Sequence, residues 1–182
     1  MTTSQMLFCA VKNNYMDLFE QLMQKEKIDL NCQDKDGFTP LIYASAKGRK
    51  EMVQALIERG ADLDKGNLNG DGPLMWSILY NYQTISKMLI ENGADVDAQN
   101  IRGETPLMAA AYNGDGELLH LMMAQGATVS LVDKKGETAA DKAFKRGYIF
   151  LAKHLRNAVP SQKKKLNKAK RISKNVFHSR EG

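Results

Sequence analysis

The residues that most often carry chemistry are few and scattered in this chain. Histidines stand at His120, His154 and His178, and the cysteines are Cys9 and Cys32. Because no Ser/His/Asp or Cys/His order and no metal-ligand spacing connects them, the sequence predicts neither nucleophilic catalysis nor a zinc site. Two cysteines are also too few for a disulfide framework, and they fit a reducing cytosol as free, small apolar side chains.

Two other patterns look like functional motifs but lack the necessary context. Gly66, Gly70 and Gly72 form a loose glycine cluster, but a phosphate-binding loop follows a strand and no strand is predicted before them. Four aspartates recur at a fixed step along loops: Asp62, Asp64, Asp95 and Asp97. Because they do not converge on one point, they predict no calcium or magnesium site. The sequence therefore predicts no cofactor, no metal and no enzyme.

The glycines and aspartates belong to phrases that repeat every 33 residues. Glycine stands at positions 37, 70, 103 and 136, and three residues later the chain has Pro40, Pro73 and Pro106, with Ala139 in the last copy. A second phrase, Gly-Ala-Asp or a close variant, keeps the same step at 60–64, 93–97 and 126–130. Two independent phrases in one register indicate a single supersecondary unit stacked along an axis.

Each copy predicts a turn followed by two helices. In the second copy, Gly37 can take the positive φ of a turn, Thr39 can cap a helix, and Pro40 suits the first helical position. Apolar spacing and Gly60 then predict a second helix that ends just before that glycine. The predicted helix pairs are 40–47 and 50–58, 73–80 and 84–91, 106–113 and 117–124, 139–146 and 149–157, with an atypical first pair at 5–13 and 16–24.

This order of turn, Thr-Pro-Leu, short helix, Gly and longer helix resembles the ankyrin repeat. The resemblance covers five copies, at 4–33, 34–66, 67–99, 100–132 and 133–158. It implies an all-α solenoid of stacked helix-turn-helix units with β-turn or hairpin-like loops, forming one domain over 1–158. The histidine that the family usually has after Pro-Leu is absent, and Gly72 replaces the usual threonine. The missing cap predicts that the third copy is less rigid than a consensus repeat.

The resemblance also implies a concave face, made of turn tips and first helices, that binds a partner protein. By position, the predicted partner-binding residues are Phe38, Tyr43, Leu68, Trp76, Leu79, Tyr80, Arg102, Tyr112, Lys145 and Arg146. We expect the five aromatic residues and Leu79 to cluster in the middle of this face, since exposed aromatics are enriched at interface hot spots. Two alternatives stay open: the rings are spacers partly buried between helices, and the basic residues are a solvated end of the stack.

A basic segment, residues 159–182, follows the last copy. It contains eight Lys/Arg and one acid, so its formal charge is +7, whereas the rest of the chain carries −2 of the total of +5. The cluster at its centre is Lys163, Lys164, Lys165, Lys168, Lys170 and Arg171. Self-repulsion predicts a flexible end. The alternatives are a nuclear-import-like cluster, a contact with nucleic acid or an anionic membrane, and a secretion or partner address.

Two functions are compatible with these patterns. The first is a non-enzymatic, monomeric scaffold or adaptor that binds a protein partner on its concave face. The second is a tether whose basic tail brings the repeats to nucleic acid or an anionic membrane, through a weak contact.

The sequence also gives expectations about the place of action. It shows no membrane-spanning apolar run and no secretory signal. We therefore expect a cytoplasmic protein, with the nucleus or a host-cell cytosol as alternatives. The Lys- and Asn-rich composition and the short array would suit a bacterial protein delivered into a host cell, by analogy with intracellular bacteria that use ankyrin proteins as effectors.

Overall fold

The computed structural model describes residues 2–159, and these form an all-α stack. Apart from its first residue, the predicted basic tail, with all six residues of its central cluster, lies outside this range. The helices are α1 Thr3–Asn13, α2 Met16–Met23, α3 Pro40–Ala46, α4 Lys50–Glu58, α5 Pro73–Leu79, α6 Gln83–Glu91, α7 Pro106–Asn113, α8 Gly116–Ala124, α9 Ala139–Lys145 and α10 over 149–159. No strand occurs between residues 2 and 159, and the predicted all-α fold is confirmed.

Threonine caps start four of the first helices, α1, α3, α7 and α9. The hydroxyl oxygens of Thr2, Thr39, Thr105 and Thr138 each accept a hydrogen bond from the backbone N–H three residues on, at 3.2, 3.1, 3.2 and 3.2 Å. Each bond satisfies a donor that has no partner inside the helix. At the start of α5, Gly72 supplies no side-chain cap, as the sequence predicted.

Some helices end one residue earlier than the sequence suggested. Residues Lys47, Tyr80 and Arg146 are the C-caps of α3, α5 and α9, with ψ of 2°, 8° and 0°. In each case the next residue has positive φ, which ends the helix. After α5 that next residue is Asn81, with φ of 60°, in place of the glycine found in the second, fourth and fifth copies.

The helices pack in two layers. The first helices contact one another in chain order, α1 with α3, α3 with α5, α5 with α7 and α7 with α9, and a second layer contains α4, α6 and α8. A continuous apolar core runs between the layers, from Leu7 in the first copy to Leu155 in the last. None of the helices in this part of the chain is both long enough and apolar enough to cross a membrane.

Loops of neighbouring copies are joined by hydrogen bonds at fixed steps. Asp64 Oδ1 accepts from the backbone N–H of Asp95 at 2.7 Å, and Asp97 Oδ1 accepts from that of Thr128 at 2.8 Å. The recurring aspartates thus connect one copy to the next. Within residues 2–159, no three His, Cys, Asp or Glu side chains are grouped so that they could hold a metal ion.

The turn tips form a second line of connections. The N–H of Leu68 donates to the carbonyl of Asp36 at 3.1 Å, and the N–H of Ile101 donates to that of Asn69 at 2.9 Å. These bonds bring the backbones so close that a Cβ on Gly37 would lie 2.6 Å from the nitrogen of Leu68. Gly37 is therefore required both by its φ of 79° and by this approach.

Candidate protein-binding face

Five aromatic rings form a ladder across the first three copies, on the face made by the turn tips and first helices. Phe8 lies 5.9 Å from Tyr43, and Phe38 lies 5.2 Å from Tyr43, measured between ring centroids. Phe38 then lies 5.1 Å from Trp76, which stacks on Tyr80 at 5.7 Å. These distances are typical of attractive ring pairs. Four of the predicted residues are thus brought together, and Phe8, which the sequence analysis missed, extends the ladder.

The rings differ in how much solvent they meet. Tyr80 is 55% exposed, whereas the other four are half-buried. The hydroxyl of Tyr43 donates to Asp34 Oδ2 at 3.0 Å, and burial together with this bond raises the pKa of the Tyr43 phenol. The indole nitrogen of Trp76 is buried and has no hydrogen-bond partner among residues 2–159. Tyr43 and Trp76 therefore act partly as spacers, which was the alternative open for them, while Tyr80 presents its surface outward.

Tyr112 does not continue the ladder. Its ring lies under the guanidinium of Arg146, at 4.6 Å from the ring centroid, and it lines a pocket together with Leu79. The position that carries Trp76 in the third copy holds Ala109 in the fourth, so no ring extends the ladder there. The predicted single cluster is thus two zones, which meet where Leu79 and Tyr80 adjoin at the end of α5.

The second zone is a pocket of about 500 Å³ between the third, fourth and fifth copies. This volume is within the usual range for ligand-binding sites. Its lining combines apolar and charged side chains: Met75, Leu79, Arg102, Glu104, Met108, Ala109, Tyr112, Lys135, Glu137, Lys142 and Lys145. Four of the predicted residues line it, namely Leu79, Arg102, Tyr112 and Lys145.

A network of ion pairs surrounds Lys142 at one side of this pocket. Its ammonium nitrogen lies 2.6 Å from Asp133 Oδ2, 3.1 Å from Glu137 Oε2 and 3.7 Å from Glu104 Oε1. The same glutamates hold the outer cations, because Arg102 Nε donates to Glu104 at 2.7 Å and Lys145 donates to Glu137. The network ties the fourth copy to the fifth.

Asp133 is the most perturbed carboxylate of the network. Burial alone raises its pKa, but hydrogen bonds from Lys142 and from the backbone N–H groups of Glu137 and Lys135 outweigh burial and lower the pKa to about 2. The pKa of Lys142 is raised, because its carboxylate partners outweigh its burial. Asp133 and Lys142 are therefore both charged near neutral pH.

Two predicted residues lie away from the centres of both zones. Leu68 projects from a turn tip with 72% of its surface exposed, and Arg146 is exposed beside Tyr112. Lys142 was not predicted, although a step of 33 residues from Tyr43 and Trp76 leads to it. Extending that step beyond Ala109 would have found it.

The comparisons with known proteins identify the repeat. A family model described as ankyrin repeats (3 copies) matches residues 7–100, and one described as ankyrin repeats (many copies) matches residues 79–123. The chain belongs to the ankyrin-repeat family. Ankyrin repeats generally serve protein–protein interaction and are generally non-enzymatic.

Curated relatives share only short stretches with this ankyrin-repeat chain. Alpha-latrocrustotoxin-Lt1a of Latrodectus tredecimguttatus is 38% identical over 64 residues, 35% of this chain and 4% of the toxin. E3 ubiquitin-protein ligase Ufd4 of Drosophila melanogaster is also 38% identical over 64 residues, covering 35% of this chain and 2% of the ligase. Ankyrin repeat domain-containing protein 49 of Homo sapiens is 33% identical over 60 residues, 33% of this chain and 25% of that protein. The similarity therefore concerns the repeats.

Proposed function

We propose that this ankyrin-repeat chain is a non-enzymatic adaptor that binds a partner protein on its concave face. The observation that carries the proposal is the group of exposed apolar side chains where the two zones meet. Leu79, Tyr80 and Tyr112 are 48%, 55% and 47% exposed, and two of them border a pocket. Exposed aromatic side chains beside a pocket are typical of interface hot spots.

The half-buried rings pack behind this exposed surface and contact Tyr80 through Trp76. Trp76 stacks on Tyr80 with an interplanar angle of 15°, and Trp76 in turn contacts Phe38. A side chain held in one rotamer by such contacts loses less entropy when a partner covers it, so more of the buried area contributes to affinity. The half-buried rings of the ladder therefore favour binding at Tyr80 without themselves being the main contact surface.

The test compares capture of partners by variants of the full chain. We expect the double variant Leu79→Ser, Tyr80→Ser to capture about tenfold less partner protein than wild type, or less still, because two central apolar contacts are lost. Capture would be measured by quantitative mass spectrometry on bacterial and animal-cell lysates at moderate salt.

The matched control is Phe150→Ser. Phe150 is 91% exposed at the start of α10, outside both zones. The substitution therefore removes a comparable apolar surface that is not part of the proposed interface. We expect this variant to capture partners as wild type does. Equal capture by the double variant, the control and wild type would refute the concave-face adaptor.

A second candidate is a tether that acts through the basic tail. The observation that favours it is charge segregation, +7 in residues 159–182 against −2 in the rest. Such a segment attracts nucleic acid and anionic lipid at low salt. The place of action, whether the cytoplasm, the nucleus or a host cell, stays a prediction.

A further inference from the structure

We propose that the pocket between the third and fifth copies binds an acidic peptide segment of the partner protein. One apolar side chain of that segment enters the pocket, and neighbouring carboxylates contact the cationic rim. This inference rests on the proposed adaptor function and names the chemistry of its partner.

The pocket has an apolar part that fits an aliphatic or aromatic side chain. Met75 and Met108 are 5% and 2% exposed, and Leu79 and Tyr112 border the opening. Methionine side chains are flexible and polarisable, so they adapt to inserted groups of different shape. A purely ionic ligand would leave this surface unused.

The charges of the pocket are arranged in two layers. Arg102 and Lys145 have side chains 54% and 61% exposed, whereas the side chains of Glu104 and Glu137, with which they form ion pairs, are 30% and 18% exposed. Each of these two outer cations is thus more exposed than the carboxylate that it pairs with. An approaching partner meets the outer layer first, and that layer is positive.

Two further cations have no carboxylate partner between residues 2 and 159. Lys135 lines the pocket, and Arg146 lies over Tyr112 at its edge. Both are exposed, and neither takes part in an ion pair in this part of the chain. Incoming carboxylates would therefore find donors that are not already occupied, which favours an acidic partner.

Other occupants fit the pocket less well. The chain's own tail carries +7 and would be repelled by the rim. A nucleic acid could use the cations but would leave the methionine surface empty, and Arg146 already covers a face of Tyr112 on which a base could stack. An acidic segment with an apolar residue contacts both the cations of the rim and the apolar part of the pocket.

The experiment is selection of random dodecapeptides, displayed on phage, against the immobilised full chain. We expect enrichment of peptides with net negative charge that contain Leu, Ile, Met or Phe. The best peptide would then be synthesised with a fluorescent label and titrated by anisotropy. Lys135→Glu should weaken its binding about tenfold or more, and added salt should weaken it as well.

The matched control is Lys153→Glu, which makes the same charge reversal at an exposed position of α10, outside the residues that line the pocket. We expect it to bind the labelled peptide within about twofold of wild type, since Lys153 does not line the pocket and exposed charges are screened by salt. Circular dichroism of both variants would show that the helices are intact.

Several results would overturn the proposal. These are no enrichment, enrichment of neutral or basic peptides, or equal binding by Lys135→Glu and wild type. Labelled oligo-dT or phosphatidylserine vesicles that bind in a Lys135-dependent way would assign the pocket to a polyanion, and a dimer dissolved by Lys135→Glu would assign it to a second copy. If no acidic peptide emerges but Leu79→Ser, Tyr80→Ser still abolishes protein capture, the adaptor stands and only this inference fails.

Discussion

One position of the repeat, four residues after the capping site, sets the chemistry of the concave face. It holds Tyr43, Trp76, Ala109 and Lys142 in successive copies. The first two continue the ladder of rings, Ala109 interrupts it, and Lys142 places a half-buried ammonium at this position. The face thus changes from aromatic to charged along the stack because single side chains change at a constant backbone position.

The Asp133–Lys142 pair leads to a prediction about pH. The pKa of Asp133 is about 2 in the folded protein and about 4 in an unfolded chain. Its ionised form therefore stabilises the fold fully above about pH 4, and this contribution is lost as the pH falls through about 2. Asp133→Asn should lower the free energy of unfolding by about 1 kcal/mol at pH 7, a deficit that closes as the pH approaches 2.

Urea unfolding at several pH values would measure this difference between the variant and wild type. The control is Asp36→Asn, at an exposed carboxylate that has no ion pair among residues 2–159. We expect the control to show no deficit that depends on pH in this way. A deficit of Asp133→Asn that stays constant from pH 7 to pH 2 would contradict the assignment.

At the scale of elements, glycines at two positions of the repeat have different structural roles. Gly37 has φ of 79° and lies against the backbone of the next copy. Gly72, at the N-cap of α5, has φ of −83° and ψ of 177°, which any residue can adopt. A Cβ there would lie 3.5 Å from its nearest neighbour, the carbonyl oxygen of Asp64, an ordinary contact distance. Gly37 is required by the fold, whereas Gly72 is a missing cap.

We therefore expect Gly72→Thr to stabilise the protein by about 1 kcal/mol. The threonine restores the hydrogen bond that starts the other first helices, and it reduces the freedom of the unfolded chain. The measurement is the urea midpoint, with hydrogen exchange of the amides of α5 as a local readout. Unchanged exchange and an unchanged midpoint would show that the third copy is not weakened by Gly72.

Gly37→Ala should have the opposite effect. Its Cβ would lie 2.6 Å from the backbone nitrogen of Leu68, and its φ is unfavourable for alanine. We expect a loss of more than about 1 kcal/mol in the free energy of unfolding. A urea midpoint within error of wild type would mean that the two turn tips are not held together as described.

At the scale of the whole molecule, the stack ends in a surface that is partly polar. Phe144 occupies the position at which Ser45, Ile78 and Ala111 are buried in earlier copies, yet it is 51% exposed. The guanidinium of Arg156 lies 5.4 Å from its ring centroid and covers part of it. The last described copy therefore tolerates water on the side where each earlier copy meets its neighbour.

The two candidate functions separate when residues 160–182 are removed. We expect the shortened chain to capture the same proteins as the full chain, because the ladder and the pocket lie within residues 2–159. If the tail carries binding to oligo-dT or to phosphatidylserine vesicles, the shortened chain should not bind them. Binding of these probes by the full chain should then fall steeply as the salt concentration rises. Loss of protein capture on truncation would instead support the tether.

The sequence by itself determined the fold and the register. A period of 33 residues, with Gly37, Pro40 and Gly60 at fixed offsets, placed nearly every helix to within a residue, because turns and caps depend on local backbone requirements. It also selected the outward positions, so Leu79, Tyr80 and Tyr112 were expected on one face. These features follow from each repeat alone, whatever its neighbours are.

Only the tertiary structure decided what those positions do together. It joined Phe8 to the ladder, separated Tyr112 from it, and surrounded Lys142 with carboxylates from the turn tips of the fourth and fifth copies. The Phe8–Tyr43, Tyr112–Arg146 and Lys142–Glu104 contacts each cross from one copy to another. The directions, burial and pKa shifts of these side chains depend on how the copies stack. The period of the sequence specifies that a stack exists, but it does not specify which side chains meet between copies.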